Sequence, residues 1–115
     1  MALDGSARRR KAEEAQATAL VDLVDGVVRV RVVGEFDLAT ARTLDAALAE
    51  ATAAGADVVV DLTDATFLDV GCLQLILSAR RAVLEAGHRL TVEHPRPLVR
   101  RLVSAIHVEG LLGAR

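Results

Sequence analysis

The side chains in this 115-residue chain that could do chemistry are an acid and a thiol three positions apart, two pairs of acids and three histidines. Asp69 and Cys72 fall where an apolar stretch expected to be buried, Phe67-Leu68, gives way to a long apolar run, so both sit at the expected start of a helix. A thiol at a helix N-terminus can have a lowered pKa and form sulfenic acid or a mixed disulfide. Free cysteine is, however, among the most buried residue types, and Cys72 reads rather as a small core residue standing in for glycine. Glu35 with Asp37, and Asp61 with Asp64, have the types needed for an acid and a base. They lie at strand ends and turns, where solvated acids are ordinary, and no nucleophile accompanies them. His88, His94 and His107 are scattered without metal-ligand spacing. The chain has no Gly-rich phosphate loop, no nucleophile elbow, no HExxH and no paired Cys motif. The expectation is a binding protein rather than an enzyme, with no cofactor.

The elements that must position these residues follow from periodicity. Residues 1–16 carry Arg8-Arg9-Arg10-Lys11 and Glu13-Glu14 with little to bury, and read as a disordered or frayed tail; residues 17–115 read as one folded domain. Ala19 to Val24, Asp25-Gly26, then Val27 to Val33 predicts two strands joined by a type I′ hairpin. Val28, Val30 and Val32 alternate with Arg29 and Arg31, one face apolar and one wet. Ala41, Leu44, Ala47, Leu48 and Ala51 recur at helical spacing up to Gly55, with Asp37 or Thr40 as N-cap. Val58-Val59-Val60 predicts a short strand covered on both faces. A second helix runs from about Val70 to Ala86, with Leu73, Ile76, Leu77, Val83 and Leu84 on one stripe and Asp69 as its cap. Leu90 and Val92 give a fourth strand. Pro95 and Pro97 then introduce a helix through Val103, and Val108 to Leu112 form an apolar cap. The fold class is α/β: a mixed four- to five-stranded sheet with helices packed mainly on one face.

Composition narrows the partners. Hydrophobic residues are 52% of the chain, and Phe36 and Phe67 are its two aromatics, so the core is built from branched aliphatics and alanine. A formal charge of −2 offers no overall attraction to nucleic acid or anionic lipid. One cysteine cannot form an internal disulfide, and there is no secretory leader or membrane-length apolar run. A cytoplasmic protein without membrane insertion is expected.

Gly34-Glu35-Phe36-Asp37 with Thr40-Ala41 and Leu44 resembles the G-E-[LIF]-D, T-A and helical leucine of the STAS domain, the fold of bacterial anti-sigma factor antagonists. Val58 to Leu62 and then Phe67-Leu68-Asp69 resemble that family's central strand and its approach to the second helix. Arg89 to Val92, Pro97 to Leu102 and Gly110-Leu111 fit the later elements, so the resemblance spans about 95 residues, a domain of ordinary size. It implies a protein that binds an anti-sigma factor, often one with a histidine-kinase-like ATPase fold, and thereby frees a sigma factor for transcription. The implied partner-binding residues are Asp37, Thr40, Asp69, Val70, Gly71, Cys72 and Leu73. The resemblance also admits a scaffold role: assembly with other STAS proteins or with itself in a sensory complex, or service as the cytoplasmic subunit of a lipid or anion transporter.

One departure bears on regulation. Phosphorylatable members carry serine or threonine after the aspartate, and this chain carries Val70. Phosphoryl transfer needs an oxygen nucleophile, so Val70 cannot be a phosphosite. A phosphate there would place about −1.5 to −2 charges across a partner surface; valine instead leaves a small apolar side chain, a surface always competent to bind. Thr63, Thr66 and Ser78 are near in sequence, but nothing marks them as substitutes.

Overall fold

The computed structural model describes residues 17–105. The expected tail at 1–16, the cap at Val108 to Leu112 and His107 lie outside the described residues. Four strands and three helices alternate along the chain: β1 (Ala17–Val24), β2 (Val27–Phe36), α1 (Ala41–Ala53), β3 (Asp57–Leu68), α2 (Val70–Glu85), β4 (Leu90–Glu93) and α3 (Pro97–Ala105). The strands form one sheet in the order β1-β2-β3-β4, antiparallel at β1/β2 and parallel at the two other junctions. This is the α/β mixed sheet expected from the sequence.

The hairpin forms as its dipeptide requires. Asp25 and Gly26 both have positive φ, 53° and 80°, the left-handed geometry that a two-residue type I′ turn demands. Two crossovers through α1 and α2 then lay β3 and β4 parallel to β2. Helix α1 packs over β1 and β2, α2 packs over β3 and β4, and the helices touch each other. Val28, Val30 and Val32 from β2, Val58, Val60 and Leu62 from β3, and Leu90 and Val92 from β4 meet Leu44, Leu48, Ile76 and Val83 in one core. Full burial of each such side chain contributes about 1.5–3 kcal/mol.

Strand β3 differs most from expectation. It runs twelve residues rather than three. Its buried positions are Val58, Val60, Leu62, Ala65 and Leu68, a period of two that becomes three. The register explains the change: β2 advances from Arg31 to Val33 while β3 advances from Asp61 to Asp64, and again from Gly34 to Glu35 against Ala65 to Phe67. Each irregularity inserts one residue into β3, which hides the strand from an alternation test. Val59 is also not covered on both faces. It is half-buried on the side of the sheet away from α1 and α2, abreast of Arg29 and Thr91.

That open side is polar. The Arg29 Nη1 donates to Asp61 Oδ2 at 3.3 Å and to Glu93 Oε1 at 3.2 Å, joining three adjacent strands, and Arg31 Nη2 donates to Asp64 Oδ2 at 2.8 Å. The hydrogen bond and charge of Asp64 raise the Arg31 pKa. Such half-exposed pairs add little to stability.

The helices end as glycine geometry requires. Gly55 and Gly87 follow α1 and α2 with φ of 67° and 88°, the left-handed conformation that terminates a helix. On α2 the buried stripe is Cys72, Leu73, Ile76, Ala79 and Val83. Leu77 packs partly against it, while Leu84 is exposed rather than on the buried stripe, because it lies one position past Val83 and turns out of the contact with α1.

Candidate functional site

The two turns singled out by sequence meet at one end of the sheet. Phe36 and Leu68 close β2 and β3 as a register pair, both buried, and the residues that follow emerge side by side. A backbone bond from Asp69 N to Phe36 O at 3.1 Å ties the turns together. Neither turn is placed by its own sequence alone; the β2/β3 pairing sets their separation.

In the first turn the polar side chains hold the loop. Asp37 Oδ1 accepts from Ala39 N at 2.9 Å, and Thr40 N donates to Asp37 O at 3.1 Å. The Thr40 hydroxyl accepts from Asp37 N at 3.0 Å and donates back to Glu35 O at 3.2 Å. Thr40 occupies the N-cap position of α1, yet its side chain makes no capping bond. The expectation that Asp37 or Thr40 caps α1 is therefore corrected: both spend their side chains on the turn that precedes it. At the crest Leu38 is 89% exposed.

In the second turn the aspartate does cap. Asp69 is extended (φ −82°, ψ 173°) and its Oδ1 accepts from Cys72 N at 2.8 Å, while Leu73 N bonds to Asp69 O at 3.0 Å. Val70 is then the first helical residue, with its side chain 54% exposed. Gly71 is exposed too, and a methyl group there would meet Asp69 Oδ1 at 3.5 Å, an ordinary contact. The glycine is therefore not needed to avoid a clash.

The next two predicted residues face inward. Cys72 is 1% exposed and Leu73 is 3% exposed, both in the core. Burial pushes the Cys72 thiol up to about 12, assisted by the hydrogen bond and charge of Asp69 and by the charge of Asp37. The thiol donates to Asp37 O at 3.7 Å, a contact spanning the two turns. Of the two readings of Cys72, the structure shows the small core residue: burial, with the charge of the capping acid, outweighs the helix N-terminus, and the thiol stays protonated. Cys72 and Leu73 support the turns from beneath, and the exposed surface consists of Asp37, Leu38, Ala39, Val70 and Gly71 beside half-buried Thr40 and Asp69.

Leu38 lies within the turn Asp37 to Thr40 but was not singled out by sequence reasoning. Its signal was a large apolar residue inside a polar turn, where nothing in the local pattern requires one. The histidines do not join the site. His88 Nδ1 lies 3.7 Å from Asp57 Oδ1, and His94 is exposed in a turn with φ of 55°. The Asp37 carboxylate is used by the turn, to which Glu35 contributes its backbone carbonyl, and Asp61 is engaged by Thr63 N and Oγ1 at 3.0 and 2.6 Å. Burial pushes the Asp61 carboxyl up, but the two Thr63 bonds with the charges of Arg29 and His94 outweigh it and hold the carboxyl below its ordinary pKa. A cavity of about 60 Å³ lies between β3 and α3, lined by Leu62, Ala65, Phe67, Arg96 and Val99 among others. Its volume is far below the roughly 300–1,000 Å³ of small-molecule sites. Among the described residues no helix is long and apolar enough to cross a membrane.

A mixed four-stranded sheet with two helices on one side, presenting two abutting turns with a capped helix start, defines the α/β STAS class of regulatory domain. The family model described as "Mlab, STAS domain" matches residues 19–113, and the chain belongs to the STAS domain family. Among solved structures, the chain is similar to an anti-sigma factor antagonist from Mycobacterium paratuberculosis, with 26% identity over 84% of this chain and 83% of that one and a TM-score of 0.74. It shares its fold with the phosphorylated Bacillus cell fate determinant SpoIIAA (18% identity, 83% and 88% covered, TM-score 0.69). It also shares its fold with a putative anti-sigma factor antagonist from Thermotoga maritima (16% identity, 82% of each chain covered, TM-score 0.71). No curated protein matches the chain by sequence.

Proposed function

We propose that the chain is an anti-sigma factor antagonist that binds an anti-sigma factor, or a related regulatory kinase with an ATPase fold, through the turns Asp37 to Thr40 and Asp69 to Gly71. Its capture of that partner frees a sigma factor, in the cytoplasm and without contact to nucleic acid. The observation that carries this reading is the exposed first residue of α2: Val70 stands 54% exposed directly after the capping Asp69 and beside the Asp37 turn. Any partner covering the turns buries an apolar side chain there, and no phosphate can be added to it. The surface is constitutively competent, and control falls on the partner or on the amount of this protein.

Val70→Asp tests the reading cleanly. A carboxylate at the first position of a helix is favourable for the helix itself, so the variant folds, while the added charge beside Asp69 opposes docking. Proteins retained by wild type and variant are identified by mass spectrometry and their affinities measured. An anti-sigma factor bound by wild type and weakened about tenfold or more by the substitution supports the reading. Equal binding by both proteins refutes it.

A second reading, a STAS scaffold subunit of a sensory complex or of a lipid or anion transporter, is favoured by the same missing hydroxyl, since a scaffold needs no switch. Retention of transporter subunits or other STAS proteins, indifferent to Val70→Asp, selects it.

A further inference from the structure

Strand β1 is an edge strand of eight residues, and among the described residues nothing pairs with its outer side. Natural edges are blunted by proline, lysine, bulges or brevity. Strand β1 has none of these devices: its register with β2 runs without a shift from Ala17 to Val24, and Asp22 is its one charge. It also carries three of the seven exposed large hydrophobic residues among the described residues. Leu20, Leu23 and Val24 are 49%, 68% and 53% exposed.

The hairpin decides which backbone groups are free. The residues flanking a two-residue type I′ turn form a hydrogen-bonded pair, so Val24, Asp22, Leu20 and Thr18 turn their N–H and C=O groups towards β2. Ala17, Ala19, Val21 and Leu23 therefore direct theirs outward. Antiparallel addition of an identical strand must match these four with themselves. Pairing Ala17 with Leu23 and Ala19 with Val21 does so, using the straight strand and leaving the turn at Asp25 free.

Charge selects the same alignment. Centring the pair on Asp22 places two carboxylates opposite each other, which is destabilising. Centring it on Val21 sets Asp22 against Leu20 and draws Asp25, with its left-handed φ, into the ladder. Centring it on Leu20 sets Asp22 against the Thr18 hydroxyl of the second copy, brings the two Leu20 side chains together at a close non-hydrogen-bonded position, and sets exposed Leu23 against Ala17.

We propose that β1 is a self-complementary interface, pairing antiparallel with β1 of a second copy about a two-fold axis at Leu20. Two four-stranded sheets then become one of eight strands, with the pair Ala17/Leu23 extending each core across the junction. This goes beyond the partner reading: the interface lies on the β1 edge, and the turns at Asp37 and Asp69 follow β2 and β3.

The test combines mass in solution with cross-linking. Sedimentation of wild type across concentration is expected to reach twice the 12.2 kDa of the chain. Leu20→Lys, at an exposed position, is expected to weaken dimerisation at least tenfold and return the mass to that of one chain. Leu20→Cys places two thiols across a pair whose Cα atoms are about 4.5 Å apart, so mild oxidation links the copies. Thr18→Cys, whose equivalents are offset by roughly 14 Å along the strand, remains unlinked. Cys72 is buried and does not compete. The proposal is overturned by a wild type that stays at one chain's mass, by a dimer indifferent to Leu20→Lys, or by a dimer in which Leu20→Cys fails to link.

Discussion

Asp69 carries two separable roles, capping α2 and bordering the exposed turn, and substitution at this residue tells them apart. Asp69→Ala removes the acceptor of the Cys72 N bond at 2.8 Å and leaves the first turn of α2 without a side-chain cap. Loss of an N-cap costs about 1 kcal/mol, within 0.5–2. Loss of a negative charge at the helix N-terminus costs about 0.3–1 kcal/mol more. Asp69→Asn keeps a good capping acceptor and forfeits only the charge. The expected ordering is a loss of about 1–2 kcal/mol for alanine and about 0.5 kcal/mol for asparagine. In urea unfolding the alanine variant shifts the midpoint down by on the order of 0.5–1 M with an unchanged slope. Equal losses for the two variants refute the hydrogen-bond argument and leave charge as the cause. An unchanged midpoint for alanine refutes the capping role altogether.

Two further outcomes follow from the shifted groups. Cys72, pushed up to about 12 by burial and Asp69, has a thiolate fraction at pH 8 of about 10⁻⁴, against about 0.1 for an ordinary thiol of pKa 9.0. Alkylation of the folded protein by iodoacetamide is expected to be about a thousandfold slower than of the protein in urea, and comparable rates overturn the burial argument. Asp61, with its folded pKa below the ordinary 3.8, contributes stability that is complete above that value and is lost as pH falls through the lowered one. Unfolding of wild type and Asp61→Asn between pH 7 and 2 is expected to show a difference that narrows below about pH 4, and a difference that grows on acidification contradicts the shift.

Much of the site was legible because its determinants are local. A glycine-acid-phenylalanine-acid run after an alternating strand, and an acid before an apolar helix, are statements about neighbours in sequence, and Asp69 caps α2 through a contact three residues away. The burial of Cys72 was legible from its residue type, but the direction in which its thiol is shifted was not. Its position at a helix start argued for a lowered pKa, but burial, the charge of Asp69 and the approach of Asp37 from thirty-five residues upstream reverse that effect. Thr40 likewise stands where a cap belongs, and only the course of the loop back to Glu35 O shows that its hydroxyl is already engaged.

By itself the sequence determined the succession of strands and helices, the Asp25-Gly26 turn, the absence of a hydroxyl at position 70 and the family. These rest on periodicity, on left-handed φ at a dipeptide and on residue identity, none of which needs a partner strand. Tertiary structure decided the length of β3, because its two extra residues are accommodated only against the ladder of β2, and an inserted residue erases the alternation that would reveal it. It decided that Val59 lies on an open face, because whether a strand is covered on both sides depends on which side the crossovers pass. It also decided that Asp37 and Asp69 share one surface, since the pairing of Phe36 with Leu68 brings together turns that the chain keeps some thirty residues apart.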